Sequence, residues 1–316
     1  MYSPRLAEDF SLYSLPGSAV TRLVLYGILR LFISEELPMS NITKAIILVA
    51  GYGTRRLPIT KAIEKCMLPI GDRPLIDYIV EDCIMAGITD IMFVVGEESS
   101  QIRTYYGTNQ LLEEYLGRIG KQEQLDAVKG IAAKANFHYV VQSSSMPYGT
   151  AVPVDLSSFW VNADEQVLVA AGDNFMYRTD GKSDIAHLIE AVEKDGSTAG
   201  LLVAELPPEE VISGMVQTTA DGKYFQDIVE HPEQGNTTSN LLNASKYIFD
   251  KDMFDYAHQV MLNNPAANGE YQVTEALKMY VHNGKRLIVE RTEGIYLDGG
   301  STQGWLHANN VVIGTK

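Results

Sequence analysis

The chain has 316 residues, of which 46% are hydrophobic and 21% are charged, and its formal net charge at pH 7 is −15. This balance predicts a globular protein with a large buried core. The negative charge argues against nucleic-acid binding, which needs a basic surface to displace counterions from the phosphate backbone. The only cysteines, Cys66 and Cys83, have no metal-type spacing and cannot form a disulfide framework. We therefore expect reduced thiols and a cytoplasmic protein.

Residues 1–43 precede the first predicted strand and form an N-terminal extension of unknown role. Ala19–Ile33 is apolar, but two arginines interrupt it and it is too short to span a bilayer, so we predict no membrane span. One interpretation is a helix on a membrane surface. The other is a disordered or untranslated extension, with translation starting at Met39. We predict that residues 44–316 form a single domain.

The predicted elements of the first half alternate between strands and helices. They are strands at Ile46–Val49, Ile91–Val95, Phe137–Gln142, Gln166–Ala171 and Thr198–Glu205, helices at Pro74–Ala86 and Ile185–Lys194, and one or two helices within Leu111–Ala135. This alternation predicts βαβ units and a mixed, mostly parallel α/β sheet with helices on both faces. Ligands of such sheets bind at the carboxyl ends of the strands.

The second half of the chain has a different pattern. Met215–Thr219 and Tyr224–Glu230 flank a turn and predict a hairpin. The later elements are strands at Tyr247–Phe249, Arg286–Arg291 and Ile295–Leu297 and helices at Met253–Leu262 and Tyr271–His282. No linker separates the two halves, so we expect them to pack together.

The turn after the first strand predicts a phosphate site. Gly51 and Gly53 free the backbone to turn tightly and approach a ligand, and four cations follow in an otherwise acidic chain: Arg55, Arg56, Lys61 and Lys65. A dinucleotide fingerprint fails because Arg56 takes the place of its third glycine, and a P-loop fails because Gly-Lys-Ser/Thr is absent. The loop of a nucleotidyltransferase remains.

The stretch Val49–Pro69 resembles the signature of the sugar-1-phosphate nucleotidylyltransferases. The resembling residues are Val49 to Arg55, Leu57-Pro58, Thr60-Lys61-Ala62, Lys65 and Met67-Leu68-Pro69. The Thr-Lys-Ala-Ile stretch and the helical insert around 111–131 most resemble bacterial UTP–glucose-1-phosphate uridylyltransferases. The similarity runs from about Lys44 to Asn309. It implies a Rossmann-like nucleotidyltransferase fold of the glycosyltransferase-A type and assembly into homo-oligomers.

The resemblance also implies a reaction. A phosphate oxygen of glucose 1-phosphate would attack the α-phosphorus of UTP in line, giving UDP-glucose and pyrophosphate with Mg²⁺ as cofactor. Such transfers depend on positioning and electrostatics. Two alternatives stay open, a thymidylyltransferase acting on glucose 1-phosphate and a catalytically weak regulatory subunit that binds nucleotide sugars.

The resemblance assigns site residues by position. Arg55 and Lys65 would act on the phosphates as catalytic residues, and Asp173 and Asp298 would hold Mg²⁺. The nucleotide would be bound by Ala50, Gly51, Gly53, Thr54, Gln142 and Gly149, and the sugar phosphate by Gly214, Glu230 and His231.

The chain departs from the family pattern at three positions, one of them an assigned site residue and two of them close to such residues. Glu64 stands where the family usually has a proline, and it predicts extra negative charge near Lys65. His231 replaces a lysine of the sugar-phosphate site, and a histidine is mostly neutral at pH 7 unless a phosphate raises its pKa. Pro147 replaces a residue of the turn before Gly149.

Overall fold

The structure, a computed structural model, describes residues 41–207, 214–230, 239–263, 265–266 and 269–314. Most of the predicted N-terminal extension and its apolar stretch Ala19–Ile33 lie outside these ranges. Ile42 is buried, and the carbonyl of Thr43 accepts hydrogen bonds from the amides of Thr89 and Asp90. None of the helices in the described ranges is long and apolar enough to cross a membrane.

The described residues form thirteen strands in three sheets. In chain order they are β1 Lys44–Leu48, β2 Pro69–Ile70, β3 Arg73–Pro74, β4 Asp90–Gly96, β5 Asn136–Gln142, β6 Val167–Ala171, β7 Asn174–Tyr177, β8 Ala199–Glu205, β9 Met215–Thr218, β10 Phe225–Val229, β11 Leu241–Phe249, β12 Leu287–Arg291 and β13 Ile295–Asp298. The main sheet has nine strands in the order β10-β9-β11-β6-β1-β4-β5, with β8 paired to β11 and β12 paired to β8.

Nine α-helices accompany these strands in the described ranges. They are α1 Leu75–Met85, α2 Gln101–Tyr106, α3 Gln110–Arg118, α4 Gln122–Ala132, α5 Ala151–Ser157, α6 Asp184–Asp195, α7 Lys251–Leu262, α8 Val273–His282 and α9 Thr302–Gly314. Short 3₁₀ turns at Thr54–Arg56, Ile59–Lys61 and Lys65–Met67 shape the loop after β1.

The core lies on both faces of the main sheet because its central strands alternate between them. Ala45 and Ile47 of β1 pack in one apolar cluster with α1, α6 and α9, whereas Ile46 packs in a second cluster with α5, α7 and α8. Side chains of a strand alternate between faces with a period of two, so a strand apolar throughout must be covered on both sides.

The predicted α/β class, with a mixed, mostly parallel sheet and helices on both faces, is confirmed. β1 is parallel to β4 and β6, and β4 to β5, whereas antiparallel pairing gathers on β11 and the β9–β10 hairpin. The helical insert divides into α3 and α4. The sequence analysis did not predict α2, α5, α9 or β7. It predicted β13 but not the pairing of β13 with β7.

A substitution at Gly200 tests how closely β8 packs against α6. A β-carbon built on Gly200 would lie 2.6 Å from Val192 Cγ2 and 3.0 Å from Ile288 Cγ2. We therefore expect Gly200→Ala to lower the free energy of unfolding by about 1–3 kcal/mol through overpacking. Gly130→Ala in α4, where a β-carbon has open space, should raise it by about 0.5–1 kcal/mol. Urea denaturation of both variants measures this, and equal effects would contradict the packing.

A buried carboxyl in α1 predicts a pH-dependent stability. Asp82 is 8% exposed, and its Oδ1 has no hydrogen-bond partner among the described residues. Burial raises the pKa of Asp82 from 3.8 to about 7. The nearby Asp184 adds to this increase, whereas a hydrogen bond with Ser183 and the charge of Lys246 oppose it. The folded chain thus binds more protons than the unfolded chain between these values, and its stability falls as the pH rises through this window.

We expect Asp82→Asn to remove that pH dependence. The melting temperature of the variant minus that of the unsubstituted chain should be larger at pH 8 than at pH 5. Differential scanning calorimetry at both pH values measures the difference, with the exposed Asp164→Asn as a control for the loss of one carboxylate. A difference that is the same at both pH values would show that Asp82 does not titrate in this range.

Candidate active site

The loop after β1 folds back on itself and carries Lys65 to the carboxyl edge of the sheet. Gly53 has φ +64°, and a β-carbon there would lie 3.0 Å from both Lys65 Cβ and Thr60 Cγ2. Thr60 also donates to the Gly53 carbonyl at 2.9 Å. A side chain at position 53 would therefore push Lys65 away and strain the backbone. Gly51, Thr54 and Arg55 of the same loop are exposed to solvent.

A two-stranded ribbon brings the two predicted metal ligands side by side. β7 and β13 are antiparallel, with Asn174 opposite Asp298, and the Gly299 amide donates to the Asp173 carbonyl at 2.8 Å. Asp173 therefore sits directly before β7 and Asp298 at the end of β13. The carboxylate of Asp298 accepts from the Gly300 amide at 2.7 Å and from the Ser301 hydroxyl at 3.0 Å.

Both carboxylates and the Lys65 ammonium meet beside Gly300. A β-carbon built on Gly300 would lie 2.8 Å from Asp298 Oδ1, 3.2 Å from Asp173 Oδ2 and 3.3 Å from Lys65 Nζ. The described residues contain no cluster of three or more His, Cys, Asp or Glu side chains that could hold a metal ion. Two carboxylates still fit Mg²⁺, which usually takes one or two from the protein and completes its shell with substrate phosphates and water.

The charges at this point are balanced within the protein. Lys65 forms an ion pair with Asp173, and the two side chains are 16% and 28% exposed. Burial opposes ionisation of Asp173, but Lys65 outweighs it, with help from Lys246 and Arg55, and the pKa of the carboxyl falls below its usual value. Asp173 is therefore ionised, and its negative charge can interact with Lys65 or with a bound cation.

Lys246 of β11 holds the turn that carries Asp173. Its ammonium is 1% exposed and donates to the carbonyls of Ala171 at 3.2 Å and Asn174 at 3.0 Å, and to Asn174 Oδ1 at 2.5 Å. Burial lowers the pKa of Lys246 to about 8, partly offset by Asp173. The sequence analysis missed this residue, although a lysine inside the apolar strand Leu241–Phe249 was a usable signal.

Arg56 and α9 fix the other side of the loop. Arg56 is 6% exposed, donates to the Ser301 carbonyl at 2.9 Å and lies over the Trp305 ring. Trp305 Nε1 in turn donates to the Pro69 carbonyl at 2.8 Å. Arg56 thus ties the loop to the segment after Asp298. Its neighbour Arg55 is exposed, and its charge interacts with Asp173 and Tyr148.

The predicted base-side residues lie at one edge of the sheet. Gln142 ends β5 opposite Gly96 of β4, and the Ala50 carbonyl would lie 3.5 Å from a β-carbon on Gly96. The turn after β5 is tied to this edge because Glu97 accepts hydrogen bonds from Ser143 at 2.8 Å and from the hydroxyl of Ser144 at 2.6 Å.

Gly149 joins this edge to the start of α8. It has φ +138°, and a β-carbon there would lie 2.2 Å from the Tyr271 carbonyl oxygen, so only glycine fits. The Ala151 amide donates to that carbonyl at 2.8 Å, and Thr150 Oγ1 accepts from the Val273 amide at 2.9 Å.

The predicted sugar-side residues meet at β9, β10 and β11. Gly214 has φ +64°, its amide donates to the Glu230 carbonyl at 3.4 Å, and its carbonyl accepts from the Asn243 amide at 2.9 Å. Asn243 Nδ2 donates to the Tyr247 hydroxyl at 2.7 Å. His231 lies outside the described residues, so its role stays a prediction.

Glu64, which the sequence analysis expects to add negative charge near Lys65, directs its carboxylate at the segment from Ser99 to Gln101. Its carboxylate accepts from the Ser99 hydroxyl at 2.7 Å, the Ser100 amide at 2.8 Å and the Gln101 amide at 2.6 Å. The charge is thereby directed at the first amides of α2, which lack partners within their own helix.

Comparisons with known proteins show the family to which the chain belongs. The chain matches the Nucleotidyl transferase family over residues 44–313. It is 34% identical to the UTP–glucose-1-phosphate uridylyltransferase of Bacillus subtilis (strain 168) over 273 residues, which are 85% of this chain and 90% of that protein. A solved UDP-glucose pyrophosphorylase complexed with UDP-glucose is 29% identical, with a TM-score of 0.74, and the match covers 87% of this chain and all of that one.

A UTP-bound UGPase from Acinetobacter baumannii is similar to the same extent. It is 28% identical with a TM-score of 0.74, over 86% of this chain and 93% of that chain. The family match covers most of the sequence, and the relatives are matched over almost their whole length. The chain therefore belongs to the nucleotidyl transferase family and is a nucleotidyltransferase.

Proposed function

We propose that the protein transfers the uridylyl group of UTP to glucose 1-phosphate, giving UDP-glucose and pyrophosphate. The observation that carries the proposal is the meeting of Lys65, Asp173 and Asp298 beside Gly300, at the end of the glycine-rich loop. The similar proteins support the choice of substrates, since they are UTP–glucose-1-phosphate uridylyltransferases and structures bound to UTP or UDP-glucose.

The reaction needs no covalent intermediate. A phosphate oxygen of the sugar phosphate forms a bond to the α-phosphorus of UTP while the bond from that phosphorus to the bridging oxygen breaks, and pyrophosphate leaves. Protein groups must bring two anions together and stabilise negative charge on the α-phosphate oxygens. Arg55 would contact the triphosphate with its planar guanidinium, and Lys65 would follow the charge at the reacting phosphate.

The ion pair of Lys65 and Asp173 prepares both groups for this role. When phosphates enter, they would compete with Asp173 for the ammonium, and the carboxylate would become available, together with Asp298, to a cation. Mg²⁺ bound there by the two carboxylates would neutralise phosphate charge and orient the oxygens. Ala50, Gly51, Gly53, Thr54, Gln142 and Gly149 would line the nucleotide, and Gly214, Glu230 and His231 the sugar phosphate.

The metal assignment predicts distinct effects of three substitutions. Asp173→Asn and Asp298→Asn should each weaken cation binding at least about tenfold, because each removes an anionic ligand. Lys65→Met should instead lower kcat by about a hundredfold or more while cation binding is kept, because it removes charge stabilisation at the reacting phosphate. Mn²⁺ binding in the presence of UTP, followed by electron paramagnetic resonance, separates these effects from turnover.

The exposed Asp164→Asn serves as the matched control and should leave Mn²⁺ binding and kcat unchanged. Chelation of divalent cations should abolish turnover of the unsubstituted enzyme. Unchanged Mn²⁺ binding in both aspartate variants would refute the assignment of the metal site.

The substrate assignment predicts a ranking of nucleotides. With glucose 1-phosphate, kcat/KM for UTP should exceed that for dTTP by about 10- to 200-fold, the range expected for discrimination by one or two small groups. CTP, ATP and GTP should be poorer still. Pyrophosphate release across the five triphosphates measures the ranking.

A preference for dTTP would instead establish the thymidylyltransferase. Binding of UTP or UDP-glucose by calorimetry without turnover would establish the regulatory subunit. Assembly into homo-oligomers also remains a prediction, which sedimentation of the purified protein decides.

A further inference from the structure

Two short segments beside the glycine-rich loop are joined by five hydrogen bonds. We name them together the 64–101 clamp, and it comprises Ala62, Glu64, Ser99, Ser100 and Gln101. The Glu64 carboxylate accepts the three bonds described above. In the opposite direction, Gln101 Oε1 accepts from the Glu64 amide at 2.8 Å, and Gln101 Nε2 donates to the Ala62 carbonyl at 3.0 Å.

The clamp is reciprocal, which sets it apart from a simple helix cap. Glu64 satisfies the backbone at the start of α2, and Gln101 satisfies the backbone on the loop side of Glu64. Both side chains are half-buried. The bonds to a carboxylate are stronger than those between neutral groups, so the segments hold each other more tightly than two neutral loops would.

The clamp fixes the backbone from which Lys65 projects. Glu64 has φ −56° and ψ 133° and ends directly at the 3₁₀ turn of Lys65–Met67, where the Met67 amide donates to the Glu64 carbonyl at 2.8 Å. Cys66 is buried in the core behind this turn. On the other side, Gly53 packs against Lys65 Cβ. Lys65 is thus held between the glycine loop and the clamp, with its ammonium on Asp173.

We propose that Glu64 and Gln101 are positioning residues that aim Lys65 at the reacting phosphate. This proposal rests on the proposed function, because it assigns the clamp a role in the same transfer. A lysine side chain has four rotatable bonds and much rotamer entropy, so an unrestrained Cα would spread its ammonium over many positions. A misplacement of about 1 Å at a catalytic group can cost about a hundredfold in rate.

The kinetic test uses Glu64→Ala, Gln101→Ala and the double variant. Each single substitution should lower kcat about tenfold or more and change the calorimetric affinity for UTP by less than about twofold. The double variant should be no slower than the slower single variant, because either change opens the same clamp. Glu98→Ala, which removes an exposed carboxylate from the same turn, is the matched control and should keep full activity.

A Lys65→Met background separates positioning from general destabilisation. If the clamp acts through Lys65, adding Glu64→Ala to Lys65→Met should cause no further loss of kcat. Glu64→Gln should recover much of the activity that Glu64→Ala loses, because its amide oxygen can still accept from the amides of Ser100 and Gln101, and its backbone amide still donates to Gln101. A further loss in the Lys65→Met background, or no recovery with glutamine, would overturn the proposal.

A readout without turnover keeps the clamp testable if the proposed reaction is wrong. Reductive methylation with ¹³C-formaldehyde labels the lysines and keeps their charge, and Lys65→Arg identifies the Lys65 signal. In the intact chain this signal should lie apart from those of exposed lysines, and Glu64→Ala and Gln101→Ala, but not Glu98→Ala, should move it towards them. An unmoved signal would refute the clamp, whereas a moved signal with no turnover for any triphosphate would refute only the proposed function.

Discussion

The ribbon formed by β7 and β13 is the constraint on which the candidate site depends. Asn174 pairs with Asp298 and the Gly299 amide donates to the Asp173 carbonyl, so the residue before β7 and the residue that ends β13 lie beside one another although they are far apart in the sequence. The loop after β1 adds only a cation to a pair of anions that the ribbon has already arranged.

Two lysines balance the negative charge of the carboxylates at this ribbon. Two carboxylates held close together repel one another, and Lys65 relieves that repulsion on the side of Asp173. Lys246 lies beneath the same turn and bonds only neutral oxygens among the described residues, so its charge is shared with Asp173 over a longer distance. Two lysines thus support one aspartate, the partly exposed Lys65 from the solvent side and the buried Lys246 from the core.

The sequence predicted the parts of the fold that depend on local pattern. Apolar runs such as Ile46–Val49 predicted strands, the stretch Pro74–Ala86 predicted a helix, and the glycine loop predicted the phosphate side of the site. Contacts between distant segments could not be predicted in this way. β7 has only four residues and needs β13 as a partner, the burial of Arg56 depends on α9, and Glu64 depends on a segment beyond α1.

The bulge in β11 has a consequence for how the two sides of the site are connected. Ser245 adopts φ +53°, and the pairing with β8 shifts between Asn243 and Tyr247, so neighbouring residues of one strand point to different parts of the molecule. Asn243 and Tyr247 face the predicted sugar side, whereas Lys246 reaches under the turn of Asp173. One strand of the central sheet therefore sets the spacing between the predicted sugar-side residues and the turn that carries Asp173, so changes in the surrounding loops can reshape the sugar side without moving that carboxylate.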